Sequence, residues 1–217
     1  MGVAVLWLLV GYLAGSVPVG LIVGRLAGKD IRRFGTGNIG ASNVMRNLGL
    51  LPAAVVGVTS FVQGLLPAWA AGEITGSQLA VAAAAVGAVA GYGWSFLLAF
   101  HGGRAVGTAT GALAAISLPG LIPLIGGYAV GGLLRQPAPG VLVGLIAYLV
   151  YLALWPQPAV LVVAAVIVVA MVMIKRLDGV GQDLRSNVSD GPGPAGVLVG
   201  RLIFDRRPGQ RLQGPND

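Results

Sequence analysis

Two short stretches hold most of the side chains that could do chemistry. The first reads Arg-Arg-Phe-Gly-Thr-Gly-Asn-Ile-Gly-Ala-Ser-Asn-Val-Met-Arg over residues 32–46, and the second reads Phe-His-Gly-Gly-Arg-Ala-Val-Gly-Thr over residues 100–108. Gly35, Gly37 and Gly40 have the spacing of a dinucleotide-binding turn, but such a turn needs a buried strand before it and an acidic residue roughly 20 positions on. Here the upstream run is long, apolar and helix-like, and the next acid after Asp30 is Glu73. A glycine-rich loop leading into the helix start Ala-Ser-Asn-Val-Met-Arg-Asn can instead present backbone N–H groups, a helix N-terminus and nearby arginines to an oxyanion, phosphate above all. Glycine-rich loops beside apolar helices also serve simply as turns, and on pattern alone both readings stand. The second cluster repeats the combination, with Gly102, Gly103 and Arg104 at another helix start, and a mere turn has no need of the arginines.

These loops must be positioned by elements of a membrane protein. Of the 217 residues, 56% are hydrophobic and 10% charged, and the mean hydropathy is +0.85. This balance excludes an ordinary soluble domain. The 36 glycines fit close packing of apolar helices, with Gly11, Gly15, Gly20 and Gly24 as an example in the first segment. No cysteine is present, which removes disulfide and thiolate chemistry, and the single histidine argues against a protein-built metal site. No bound cofactor is expected. The first apolar run has no Lys or Arg before it and no small-residue cleavage site, so it is expected to be a span rather than a signal peptide.

A net charge of +7 would suggest nucleic acid in a soluble protein, but here the placement of the charges points to membrane topology and no nucleic-acid partner. Residues 3–24, 47–72, 74–103, 105–134 and 136–174 carry no charge. A span takes about 20 apolar residues and basic residues stay on the cytoplasmic side. Counting crossings from the basic loop at 25–46 gives spans near 3–24, 50–71 and 79–100. Breaks at Leu118-Pro119-Gly120 and at Trp155-Pro156-Gln157-Pro158 then divide the rest into 105–118, 120–134, 140–155 and 158–174.

The expected fold is therefore all-α and polytopic, with about seven transmembrane or partly re-entrant helices, the N-terminus outside and the C-terminus cytoplasmic. All fourteen Lys and Arg then lie on one face, and of the seven acids only Glu73 lies on the other. The last four segments, at roughly 21 to 26 Å, are candidates for incomplete crossing. Residues 1–178 are expected to form one membrane domain. Residues 179–217 are expected to form a cytoplasmic surface tail, with an interfacial helix at Val-Leu-Val-Gly-Arg-Leu-Ile-Phe and a disordered end.

Gly-Ser-Val-Pro-Val-Gly at 15–20, followed by Lys-Asp-Ile-Arg-Arg-Phe-Gly-Thr-Gly-Asn-Ile-Gly-Ala-Ser-Asn-Val-Met-Arg-Asn-Leu-Gly at 29–49, closely resembles the first motif of the bacterial acyl-phosphate-dependent glycerol-3-phosphate acyltransferases. The resemblance implies a seven-span enzyme of the inner membrane with three cytoplasmic motifs. It also implies transfer of a fatty acyl group from acyl phosphate to glycerol 3-phosphate in phospholipid biosynthesis. The family's loop hydroxyl falls on Thr36 and its arginine on Arg46, the two residues expected to be catalytic. Gly35, Gly37, Asn38, Gly40 and Asn43 match as well.

The family's second motif maps onto residues 91–108, where Gly102, Gly103, Val106 and Thr108 match. Arg104 stands for a lysine, His101 for another lysine and Tyr92 for a histidine. Arg135 matches an arginine that normally precedes serines, here replaced by Gln136-Pro137-Ala138. In the third motif Ile174-Lys175-Arg176-Leu177 is kept, while Ala170 and Met173 occupy the places of a histidine and an asparagine. By resemblance the substrate- and phosphate-binding set is Gly35, Gly37, Asn38, Gly40, Asn43, Gly102, Gly103, Arg104, Thr108, Arg135, Lys175 and Arg176.

The partners expected are acyl phosphate, glycerol 3-phosphate and anionic membrane lipids. Lys175, Arg176, Arg201, Arg206 and Arg207 are expected to attract lipid headgroups, and Tyr92, Trp94 and Trp155 to be interfacial aromatics. His101, alone at a span boundary, reads as an interfacial polar residue rather than a base. The third-motif replacements leave an alternative, a divergent non-catalytic paralogue that binds an anionic lipid or phosphate metabolite. A small transporter is disfavoured, since no charged residue lies in any expected span.

Overall fold

A computed structural model describes residues 1–178 and 194–203 of the chain. Among the described residues all regular structure is helical. The elements are α1 (Gly2–Ser16), α2 (Val19–Leu26), a 3₁₀ turn (Ile31–Arg33), α3 (Ala41–Leu48), α4 (Leu50–Thr75) and α5 (Gln78–Gly93). A second 3₁₀ turn (Phe96–Leu98) precedes α6 (Val106–Ile116), α7 (Leu121–Leu133), α8 (Pro137–Leu154), α9 (Ala159–Arg176) and α10 (Pro194–Leu202).

The seven apolar segments expected from the charge gaps are all present, and both proline-containing breaks fall between helices. Five segments are long and apolar enough to cross a membrane: 2–26, Leu50–Thr75, 78–98, Pro137–Leu154 and Ala159–Arg176. Only two are short, α6 with 11 residues and α7 with 13. At 1.5 Å per residue they reach about 16 and 20 Å, less than a bilayer core. The last two segments, expected to be short, have 18 residues each and are full-length, because α8 starts on Pro137 and α9 continues through Arg176.

The helices meet through small residues. Three pairs, α1 with α5, α4 with α6 and α7 with α8, bring Gly11 and Gly87, Gly64 and Gly111, and Gly127 and Gly144 against the facing backbone. A Cβ at any of the six would collide with that backbone. In lipid no hydrophobic effect drives helices together, so this close approach is what supplies dispersion contact. Helix α5 is central, touching α1, α4, α6 and α9.

The first span is not continuous. Val17 is extended and Pro18 lacks an N–H, so the carbonyls of the last turn of α1 lose their helical donors. Bare carbonyls are costly inside a bilayer. Side chains from elsewhere supply the donors. Gln63 Nε2 donates to Ala14 O (2.8 Å) and Val17 O (2.9 Å), and Ser95 Oγ donates to Ser16 O (2.6 Å). Gln63→Leu leaves Ala14 O without its side-chain donor and Val17 O with only the Val19 N–H (3.0 Å), and is expected to destabilise the protein by about 1–3 kcal/mol. A thermal unfolding midpoint within error of the parent would refute this account of the break.

Tertiary contacts establish the shared face that charge parity requires. The loop after α2, the connection from α5 to α6, the turn from α7 to α8 and the end of α9 gather at one end of the bundle, through contacts detailed below. Glu73 lies near the opposite end of α4, just before the left-handed Gly76 that closes that helix. Helix α10 contacts α9 and buries Val197, so the helix expected near 197–204 is present as Pro194–Leu202. The rest of the expected tail, residues 179–193 and 204–217 with Arg206 and Arg207, lies outside the described residues.

Candidate active site

Helix α3 and the loop before it are organised by one side chain. Asn43, 1% exposed, directs Nδ2 at the carbonyls of Ile31 (3.2 Å), Phe34 (3.0 Å) and Asn38 (2.9 Å). Its Oδ1 accepts from Thr36 N (3.1 Å) and from Asn47 Nδ2 (3.2 Å). Carbonyls around one end and donors around the other fix the amide orientation. Gly35 (φ 55°) and Gly37 (φ 72°) take the left-handed backbone that lets the chain wrap round this amide, and a Cβ on Gly35 would run into Asn43 Oδ1.

The loop amides do not all face outward, as the glycine pattern led us to expect. Thr36 N–H is held by Asn43, Gly37 N–H by Phe34 O (3.0 Å), Asn38 N–H by Thr36 Oγ1 (3.4 Å) and Gly40 N–H by Asn38 Oδ1 (3.3 Å). The physical reason is that Asn and Thr side chains within the loop satisfy the amides locally. Among the described residues, no acceptor within the chain faces the amides of Ala41 and Ser42 in the first turn of α3. The donors open to an anion are thus at the helix end rather than along the glycines.

Lys29 Nζ donates to Asn47 O (3.1 Å) at the far end of α3, and its charge suits the negative end of a helix. Arg32 pairs with Asp30 through Nε (2.9 Å) and Nη2 (2.7 Å), and its hydrogen bonds hold the Asp30 carboxyl down at about 2, so it is ionised at any physiological pH.

The second cluster meets the first directly. Gly102 N–H donates to Gly93 O (3.1 Å) and Gly103 N–H to Tyr92 O (3.2 Å), pinning the connection back onto the end of α5. At Gly103 an added Cβ would stand 2.7 Å from Tyr92 Cε1 and 3.0 Å from Asn38 Oδ1. The two loops therefore approach at Asn38 and Gly103 too closely to leave comfortable room for a methyl group between them. Arg104, next along, is half-buried and engaged with neighbouring groups.

The third motif reaches the same place. Lys175 packs its methylenes on Gly93, sets Nζ 5.1 Å above the Trp94 ring and forms an ion pair with Asp178. Arg176 donates to Ala138 O (3.1 Å), tying α9 to the start of α8 three residues beyond Arg135.

This placement corrects several expectations. Lys175 and Arg176 are 4% and 2% exposed, so they do not reach lipid headgroups. The cation–π contact and ion pair of Lys175 offset the cost of burying its charge. Tyr92, at 4% exposed, is packing rather than an interfacial aromatic. Trp94 lies beneath Lys175, and Trp155 alone is well exposed, stacked on Tyr151. Thr108 is fully enclosed, its carbonyl against Gly64 in the α4–α6 contact, and so is not on the rim.

Arg46 is exposed on α3, and Arg135 is exposed on the α7–α8 turn in a left-handed conformation (φ 55°). His101 is exposed, with Nδ1 2.7 Å from Ala99 O, which requires the proton on Nδ1 and agrees with a polar boundary role. Asp178 was not singled out in the sequence, although its i,i+3 spacing from Lys175 is a usable signal. Asn47, one helical turn after Asn43, carried the same kind of signal. Among the described residues, no three His, Cys, Asp or Glu side chains come together as a metal site would need.

Comparison with known proteins accounts for this arrangement. Residues 5–182 match the family model described as glycerol-3-phosphate acyltransferase. The glycerol-3-phosphate acyltransferase of Desulforamulus reducens is 30% identical over 173 residues, 79% of this chain and 86% of that protein. Glycerol-3-phosphate acyltransferase 2 of Moorella thermoacetica is 45% identical over 116 residues, covering 52% of this chain and 59% of its own length. The chain thus spans about three fifths of the length of that relative, and similarly 58% of the Rubrobacter xylanophilus enzyme, which is 41% identical over 115 residues. Among solved structures, the glycerol 3-phosphate form of PlsY (YgiH), an integral membrane glycerol 3-phosphate acyltransferase, superposes with a TM-score of 0.76 at 25% identity. That match covers 84% of this chain and 92% of that one. This multi-pass integral membrane protein belongs to the glycerol-3-phosphate acyltransferase family.

Proposed function

We propose that the protein transfers a fatty acyl group from acyl phosphate to glycerol 3-phosphate. In the reaction a glycerol hydroxyl oxygen attacks the acyl carbonyl carbon, the bond from that carbon to the phosphate oxygen breaks, and the hydroxyl proton leaves with the phosphate. The products are 1-acylglycerol 3-phosphate and inorganic phosphate. The carbonyl is already activated and phosphate is a good leaving group, so the protein has to hold two anions in register and stabilise developing negative charge. The observation that supports this most is the close approach of the two glycine loops at Asn38 and Gly103, with Lys175 seated on Gly93, whose carbonyl holds the second loop. In this reading Arg46, Thr36 and the first turn of α3 hold the leaving phosphate, and Gly102, Gly103 and Arg104 hold the acceptor.

The leaving phosphate takes the proton, so no side-chain base is required. The positions that the resemblance matches to a histidine and an asparagine hold Ala170, which is exposed, and Met173, which is half-buried; the charged groups at this helix end are Lys175 and Arg176. Those replacements favour the second reading, a non-catalytic paralogue that keeps only anion binding, and one assay separates the two. Purified protein given acyl phosphate and glycerol 3-phosphate is expected to release 1-acylglycerol 3-phosphate and phosphate in equal amounts. Arg46→Ala is expected to lower turnover by about 10²- to 10³-fold, the scale of losing one stabilising donor, with an unchanged melting temperature because Arg46 is exposed. No product, beside an active relative, would leave the non-catalytic reading standing.

A further inference from the structure

The face of α2 turned away from the glycine loop borders a second site. Gly20 and Gly24 face the loop side, against Ile39 and Ile31, which are 3% and 0% exposed and close that side. On the opposite face Ile22 and Arg25, with the neighbouring Leu21, line a cavity of about 360 Å³ shared with Arg32, Leu97, Leu98 and Ala99. Its apolar lining is completed by Pro18, and the side chains of two arginines, Arg25 and Arg32, share the lining with it. Arg32 is committed to Asp30. Among the described residues no carboxylate pairs with Arg25, so the site carries one uncompensated positive charge. Charge parity puts Arg25 at the cytoplasmic membrane boundary, and Leu97 (53% exposed) and Phe100 (62% exposed) present apolar surface beside it. Ala99 (φ 49°) and Phe100 (φ 64°) are consecutive non-glycine residues in the left-handed region, a conformation kept only where the surroundings impose it and concentrated at ligand clamps.

We propose that this cavity binds an anionic phospholipid of the inner leaflet, with its phosphodiester at Arg25 and an acyl chain along Leu21, Ile22 and Leu97. A phosphodiester carries a single negative charge, which one free guanidinium matches. The phosphate groups of the acyltransfer substrates carry close to two at neutral pH, and in the proposed reaction their place is beside Arg46 and Arg104. The cavity therefore takes over the headgroup contact that the buried Lys175 and Arg176 cannot make.

Native mass spectrometry of the full chain released from vesicles of phosphatidylglycerol and phosphatidylcholine in equal amounts tests the site. One phosphatidylglycerol is expected to remain bound, favoured over phosphatidylcholine by about fivefold, the worth of one basic residue at an anionic headgroup. Arg25→Gln is expected to abolish the preference and Arg25→Lys to keep most of it. Leu97→Glu, which adds a carboxylate to the cavity and leaves Arg25 in place, is expected to abolish it too, so the test survives a poorly folding Arg25→Gln. Arg46→Ala is expected to keep it. An unchanged preference in both Arg25→Gln and Leu97→Glu overturns the proposal. So does loss of the preference in Arg46→Ala, or displacement of the lipid by glycerol 3-phosphate or lysophosphatidate, since each would place the lipid in the reaction site. The acyltransfer assay is a separate readout, and a protein without turnover but with this preference would refute only the catalytic reading.

Discussion

Asn43→Ala is expected to lower acyl transfer by about 10³-fold or more, and to destabilise the protein by about 3–5 kcal/mol. The second number follows from the bonds. Nδ2 offers two hydrogens to three carbonyls, and Oδ1 accepts from one backbone and one side-chain donor, all at a site 1% exposed. Each net bond contributes about 1 kcal/mol, and each group left buried without a partner costs more than that. The first number follows because the same five contacts set the path of residues 31–38, so losing them scatters Thr36 and Asn38 together. Asn43→Asp is expected to be at least as damaging, since it puts a carboxylate oxygen where three carbonyl oxygens now meet a donor. Ser42→Ala, at an exposed neighbour, is the matched control and is expected to change stability by less than about 0.5 kcal/mol. Thermal unfolding and initial rates on the three variants measure both effects. If Asn43→Ala retained a tenth of parental activity, Asn43 would not be the hub of the loop.

The difference between Asn43 and the apolar helices explains which parts of the structure could be read from the sequence. Hydrophobic length and the positions of arginine report on transfer between water and lipid, a property of each segment alone. The seven segments and their shared basic face therefore followed from residues such as Arg46, Arg104 and Arg135, and from the prolines at 119, 156 and 158. Contacts between segments leave no such mark. Gln63 repairs the break after Ser16 from 46 and 49 positions away, and nothing near Gln63 in the sequence announces it. Lys175 and Arg176 sit where headgroup-binding residues usually sit, and only the approach of Gly93, Trp94 and Ala138 turns them inward. The glycine loop lies between α2 and α3 as its pattern indicates, but the pattern does not reveal where its amides point, because Asn38, Thr36 and Asn43 could equally bond to the loop itself or leave its amides to a ligand. Resemblance marked Asn43 as matching without revealing that its work is internal.

Gly102 gives the second large effect, and it is one that packing alone decides. Its N–H and that of Gly103 hold the connection to Gly93 and Tyr92, and a Cβ on Gly102 would lie inside the contact distance of the Tyr92 carbonyl oxygen and 2.6 Å from that of Gly93. Backbone atoms at the end of the central helix α5 cannot step aside as a side-chain tip could. Gly102→Ala is therefore expected to break both hydrogen bonds and lift Gly103 off Asn38, separating the two loops. A displacement of about 1 Å between reacting groups costs on the order of 10²-fold, so kcat/KM for glycerol 3-phosphate is expected to fall by at least that much. Because the acceptor side moves most, its KM is expected to rise while the KM for acyl phosphate changes less. Gly126→Ala, on α7 with nothing within 4 Å of the new methyl group, adds helix propensity without a clash and is expected to leave activity unchanged. Equal activities in the two variants would show that contact between the glycine loops is dispensable for the reaction, and would remove the geometric support for two anions held side by side.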